Sequence, residues 1–268
     1  MTGVSKRRRV AVSVALVLLM TLGMGVVACS HFALPPGHGV TVESVRVQLP
    51  AGASDVDIYW PVVARSAPMV IVAHGFLRHR HHMSGWGRHL ASEGFVAVVP
   101  DLPTLSDHAR NGRFLSDLRM HLIEAEAWSD RIDPTRTGLI GFSAGGLSSL
   151  LSAADRPGVA IWVGLDPVDR HGLGAAAAPG VQARTVVLTA DPSVCNAHGN
   201  AYAIVAALAR PEHMSVPGAV HVDAEWPTSW MAELVCGRST EPMRREFRRL
   251  ATDALHSAMA APPRTQAK

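Results

Sequence analysis

Gly138-Leu139-Ile140-Gly141-Phe142-Ser143-Ala144-Gly145-Gly146 is the stretch on which the fold turns. Leu139, Ile140 and Phe142 read as a short buried strand, and the small residues after Ser143 read as the start of a helix. G-x-S-x-G between a strand and a helix is the nucleophile-elbow pattern, in which a strained turn lifts one serine hydroxyl above the sheet. Glycine at 141 and 145 removes the Cβ atoms that would hold the helix away from the strand. Five letters also arise by chance in a chain with 23 glycines, so the pattern needs partners. A serine nucleophile requires a base within hydrogen-bond reach, an acid behind that base, and two donors for a developing oxyanion.

Working outward, apolar strands alternate with helices. Strands are expected at 42–49 and 56–60, then as continuous apolar runs at 69–73, 95–99, 158–165 and 185–190, with a short last strand at 214–216. Helices are expected at 83–92, 113–130, after Ser143, at 201–209 and at 241–259, and the Gly/Ala-rich segment 171–180 reads as a loop. This alternation, without domain-sized breaks, predicts an α/β class fold: one domain over 41–260 with a mostly parallel sheet covered on both faces. In such sheets chemistry collects at the carboxyl ends of the strands, where His74-Gly75-Phe76, Ser143, Asp166 and His221 fall.

His221 follows the last strand on a loop turned by Pro217-Gly218 and is the candidate base; His213 and His256 are its nearest competitors. Two aspartates at strand ends lie between serine and base, Asp166 and Asp191, and the general topology favours Asp191. The oxyanion donors are expected from the backbone N–H groups of Ala144 and Phe76, with His74 supporting the Phe76 loop. Trp226 and Trp230 line an acyl pocket or simply pack; Asp223 and Glu225 either tune the pKa of His221 or, on the simpler reading, are solvated loop residues. The arginine pairs 244–245 and 248–249 read as a solvated basic face. The His79, His81 and His82 cluster lacks a carboxylate or cysteine at ligand spacing, so no metal is expected. No phosphate loop or dinucleotide fingerprint appears, so no cofactor is expected.

The formal net charge of +3 does not point to nucleic acid. Four of the 25 basic residues (Lys6 to Arg9) precede an acid-free apolar run from Val10 to Ala28; without them 21 basic residues face 22 acidic ones. That basic-then-apolar order reads as an export signal over 1–28, and Val26-Val27-Ala28-Cys29 resembles the lipobox of bacterial lipoproteins. The expectation is a protein anchored to the outside of the bacterial cell membrane, or facing the periplasm, through lipid on Cys29. A retained apolar anchor and plain secretion are the other readings. Residues 29–40 then form a Pro- and Gly-rich tether, and 261–268 a disordered tail. Lipid on Cys29 leaves Cys195 and Cys236, which in an exported protein invite a disulfide; two buried thiols are the alternative.

These motifs carry a resemblance. His74-Gly75-Phe76-Leu77, His89-Leu90-Ala91-Ser92-Glu93-Gly94-Phe95-Val96, the 141–146 elbow, Gly164-Leu165-Asp166-Pro167-Val168-Asp169, Pro192-Ser193 with Cys195-Asn196, and Gly218 with His221 are similar to plant chlorophyllases and their bacterial relatives. That places the chain in the α/β-hydrolase superfamily, near dienelactone-hydrolase-like and polyester-hydrolase-like enzymes. The resemblance implies a cofactor-independent, monomeric serine esterase acting on a small-molecule or polymeric ester, and it moves the acid from Asp191 to Asp166. Phe142 and Ala144 replace the His and Arg that usually flank the chlorophyllase serine, so the resemblance bears on chemistry rather than substrate. A non-catalytic surface binding protein on this scaffold is the competing reading, and an amidase, thioesterase, lipase or polyester hydrolase the alternative within the class.

Overall fold

The strand that ends in Phe142 lies in the middle of an eight-stranded sheet. A computed structural model describes residues 39–62 and 65–260, all within one compact unit. The export signal, Cys29, most of the tether and the 261–268 tail lie outside the described residues. The strands are β1 (Thr41–Leu49), β2 (Gly52–Trp60), β3 (Ala67–Ala73), β4 (Val96–Pro100), β5 (Ile132–Phe142), β6 (Ile161–Leu165), β7 (Arg184–Thr189) and β8 (Pro211–Ser215). Their order is β1-β2-β4-β3-β5-β6-β7-β8. The six strands from β4 to β8 run parallel, while β1 and β2 form an antiparallel edge. The fold is the α/β-hydrolase fold expected above.

Period-two alternation divides the central strands between two apolar layers. Val70, Val72, Ile140, Val163 and Val186 face α1 (Ser84–Ser92) and α7 (Glu241–Ala258) through Trp86, Leu90, Phe247 and Leu255. Met69, Ile71, Leu139, Trp162 and Val187 face α2 (His108–Glu124), α3 (Ala144–Asp155) and α5 (Ala201–Ala207) through Phe114, Leu118, Leu150 and Ile204. Adjacent residues of one strand thus serve opposite layers, which is why these strands read as unbroken apolar runs.

Three local expectations change. Helix α2 starts at His108 rather than 113, because the Asp107 carboxylate accepts from the Arg110 N–H at 2.9 Å and caps it earlier than the apolar onset. Strand β5 begins at Ile132, with a register irregularity opposite Pro68 and Met69 that absorbs Pro134. The 171–180 loop contains α4 (Leu173–Ala177) and a 3-10 turn, Ala178–Gly180. Asp169 explains α4: its two carboxylate oxygens accept from Gly174 and Ala175 N–H at 2.7 and 3.1 Å, satisfying orphan donors of the first turn. A further helix, α6 (Trp230–Cys236), was not expected from the pattern; Ser229 caps it by accepting from the Ala232 N–H.

Candidate active site

Ser143 links β5 to α3 with φ +54° and ψ −122°, a backbone geometry that ordinary residues avoid. Three constraints hold it there. The Ser143 N–H donates to the Leu165 carbonyl at 3.1 Å, its carbonyl accepts from Gly146 at 2.9 Å, and Val168 donates to the same carbonyl at 3.1 Å. A Cβ on Gly141 would strike the Gly145 carbonyl and Ser149 Oγ, and one on Gly145 would strike the carbonyls of Ala73 and His74. The two elbow glycines are therefore steric requirements of the strand–helix contact.

The hydroxyl so placed meets a side chain from a distant part of the chain. His221 opens a 3-10 turn, His221–Ala224, and its Nε2 lies 2.9 Å from Ser143 Oγ. Its Nδ1 lies 2.6 Å from Asp166 Oδ2. One tautomer satisfies both bonds, with the proton on Nδ1 and the lone pair of Nε2 open to the serine hydroxyl. Asp166 follows β6 with φ +43° and is fully buried. Its remaining capacity is used: Ala190 N–H donates to Oδ1 at 3.2 Å and Asn196 Nδ2 donates to Oδ2 at 3.0 Å. Asn196 was given no role by sequence reasoning, although it was part of the resemblance.

Asp191 lies elsewhere. Its exposed carboxylate accepts from Gly218 N–H at 2.9 Å, and its own N–H donates to Ala219, so it braces the loop that carries His221. His213 pairs with Thr189 at 3.0 Å and His256 with Glu93 at 3.4 Å, so neither competing histidine has Ser143 as its partner.

The His74 loop abuts the elbow: a Cβ on Gly75 would sit 3.2 Å from the Ser143 Cβ. His74 Nδ1 donates to the Gly75 carbonyl and Nε2 accepts from Leu102 N–H, both at 2.9 Å, and burial holds its pKa below the ordinary value. A neutral His74 therefore shapes the loop. The backbone N–H groups of Phe76 and Ala144 have no acceptor among the described residues.

The cleft around them has two lobes that share Phe76, Leu77 and Arg78. The larger, about 350 Å³, contains Ser143 and His221 and is walled by Phe142, Met231, Val235 and Cys195–Cys236. The smaller, about 140 Å³, is more polar, with His74, Thr104, His108, Asn111 and Ala144 in its wall. The two cysteines form a disulfide with Cα atoms 5.6 Å apart, joining α6 to the turn that carries Asn196. Trp230 is not part of the cleft wall and is 73% exposed, while Trp226 packs beneath Arg248 at 4.1 Å.

Two residues expected to be solvated are buried. Asp223 accepts from Val220 N–H, Thr240 N–H and Ser239 Oγ at 2.7 to 2.8 Å. Glu225 is fully buried and accepts from Arg78 Nε at 2.6 Å; burial pushes its pKa up to about 7 against the pull of Arg78. The arginines of α7 are likewise tied to Glu241 and Glu246, and Arg248 is buried.

With this geometry in place, comparison with known proteins is informative. A family model described as PETase, PET hydrolase-like, matches residues 32–233. The chain belongs to the PET hydrolase-like family. A bis(hydroxyethyl) terephthalate hydrolase of Streptomyces coelicolor is 30% identical over 190 residues, covering 69% of this chain and 57% of that protein. Lipase 1 of a Moraxella species is 26% identical over 132 residues, covering 48% of this chain and 41% of that protein. The chain thus spans little more than half the length of the first relative and less of the second. Among solved structures, a dienelactone hydrolase from Anabaena variabilis superposes with a TM-score of 0.67 at 18% identity over 83% of this chain and all of its own. A dienelactone-hydrolase-like promiscuous phosphotriesterase from metagenomic libraries gives the same TM-score and coverage at 15% identity. Both share the fold.

Proposed function

We propose that this member of the PET hydrolase-like family cleaves carboxylic esters through an acyl-enzyme on Ser143. The observation that carries the reading is the continuous chain Ser143 Oγ, His221 Nε2, His221 Nδ1, Asp166 Oδ2, with links of 2.9 and 2.6 Å. Ser143 attacks the ester carbonyl while His221 takes its proton, and Asp166 stabilises the imidazolium that results. The N–H groups of Phe76 and Ala144 receive the oxyanion, and Ala144 adds the positive end of α3. His221 then gives its proton to the leaving alcohol. A water, deprotonated by His221, releases the acid in the second half of the cycle.

The apolar wall of the larger lobe suits an aromatic or aliphatic acyl group, in keeping with the terephthalate ester for which the Streptomyces relative is named. Short p-nitrophenyl esters and bis(hydroxyethyl) terephthalate are the first substrates to assay. Ser143→Ala is expected to lower kcat/KM by about 10⁴-fold or more with an unchanged fold, and to abolish labelling by a fluorophosphonate. Turnover or labelling that survives the substitution rejects Ser143 as nucleophile, and a wild-type protein that does not label supports a non-catalytic binding role.

We further infer that the protein acts outside the cytoplasm, tethered by lipid on Cys29. The support is the Lys6–Arg9 and Val10–Ala28 order ahead of Cys29, together with a disulfide that suits an oxidising compartment. Cys29→Ala is expected to move the protein out of the detergent-extracted membrane lipoprotein fraction; an unchanged distribution rejects lipidation as the tether.

A further inference from the structure

Arg78 stands where the two lobes of the cleft meet. Of the side chains lining either lobe it is the only Asp, Glu, Lys or Arg, and it lines both. Glu225 holds it from behind: Arg78 Nε donates to Glu225 Oε2 at 2.6 Å, with the arginine side chain 19% exposed and the carboxylate buried. The segment carrying Glu225 is itself fixed. Trp226 N–H donates to His82, Gly85 N–H to Trp226, and Trp86 Nε1 to Ala224, at 2.9 to 3.1 Å.

A guanidinium has five N–H donors in a rigid fork. Nε is committed to Glu225, and the nearest acceptor of Nη1 is the Leu77 carbonyl at 3.5 Å, a weak contact. Among the described residues Nη2 has no acceptor. The outer Nη edge is therefore left for the cleft, two residues beyond Phe76 and its oxyanion N–H. Paired Nη donors in a largely apolar setting match the two oxygens of a carboxylate, and charge-assisted bonds of this kind are roughly twice as strong as neutral ones.

We propose that Arg78 is a specificity residue that binds a carboxylate of the substrate, so that the cleft favours half-esters of dicarboxylic acids over the neutral diesters. The proposal rests on the reading of Ser143 as nucleophile. A half-ester is the product of one prior diester cleavage, which consumes one water and releases one alcohol and one proton. Here a second water is consumed, and the dicarboxylate, the second alcohol and a further proton leave. Glu225 and the substrate carboxylate compete for one cation, so removing the charge of Glu225 strengthens the substrate's hold.

The test compares kcat/KM for bis(hydroxyethyl) terephthalate with that for its half-ester. Wild type is expected to favour the half-ester. Arg78→Gln lowers the half-ester to diester ratio roughly 10- to 100-fold, mainly through KM, the range for losing a charge-assisted hydrogen bond. Arg78→Lys gives an intermediate ratio, and Glu225→Gln raises it. If both substrates fall in parallel in all three variants, the pair is only a strut between two loops and the proposal is overturned; a wild-type preference for the diester overturns it as well. Labelling of Ser143 by a fluorophosphonate separates this failure from failure of the nucleophile reading. If wild type turns over neither ester, calorimetry decides: half-ester binding lost in Arg78→Gln supports the proposal, and equal binding by the two proteins overturns it.

Discussion

Asp166 and Glu225 are both fully buried carboxylates near His221, and their surroundings differ sharply. Asp166 accepts from three donors: His221 Nδ1, Ala190 N–H and Asn196 Nδ2. Glu225 has the single ion pair with Arg78, and its Oε1 lacks a well-aligned partner, with the Thr228 hydroxyl nearby. Burial penalises the charged form of a carboxylate, and well-aligned donors offset that penalty. Where they are few, the pKa rises to about 7, as at Glu225. Zero exposure alone says little about what a carboxylate does.

The largest test of this contrast is at Asp166. Asp166→Asn keeps the shape but offers His221 an amide in place of a carboxylate, and kcat is expected to fall about 10⁴-fold. Asp191→Asn, which disturbs only the Gly218 contact, is expected to cost less than about tenfold. Steady-state assays of the two variants side by side check the assignment, and an equal loss in both breaks it.

The next effect is on stability. The donor Asn196 adjoins Cys195, whose disulfide closes a loop with a sequence separation of 41. Loop-closure entropy for that length is worth about 4 kcal/mol. Replacing both cysteines by serine is expected to lower Tm by roughly 10 °C and to lower kcat as Asn196 loosens against Asp166. A melting curve that does not move shows that the turn is held by its other bonds.

Glu225 supplies the smallest effect and the clearest pH signature. Its native pKa lies above its ordinary value of 4.5, so the native state binds the proton more tightly than the unfolded chain does. The stabilising contribution is full below pH 4.5 and is lost as pH rises to about 7, a change on the order of 3 kcal/mol. In denaturant titrations from pH 4.5 to 7.5, the stability of wild type relative to Glu225→Gln is expected to fall by that amount. Parallel curves contradict the raised pKa.

Legibility in the sequence followed locality. The elbow could be read because Gly141, Ser143 and Gly145 meet their constraints within a few residues, and the parallel strands because each is apolar on both faces. Asp166 and Asp191 end neighbouring strands, so periodicity could not separate them; only the resemblance favoured Asp166. Glu225 looked like a solvated loop residue because its partner Arg78 lies 147 positions away. Helix α6 was missed for the opposite reason. Ser229 caps a segment in which Trp230 and Leu234, and Met231 and Val235, stand four apart on one face, but the helix is only seven residues long and that face is exposed, so it is shorter than the packed helices that periodicity identifies.

That exposed helix has a consequence for how this protein changes over generations. Within α6 only Ala232 is buried, and the disulfide at Cys236 attaches it to the body of the protein. Met231 and Val235 shape the larger lobe, yet no packed layer depends on them. Selection can therefore rewrite that wall one residue at a time while Ser143, His221 and Asp166 stay where the sheet puts them. A scaffold with its cleft wall on a tethered, lightly packed helix can change what the cleft admits without passing through unfolded intermediates.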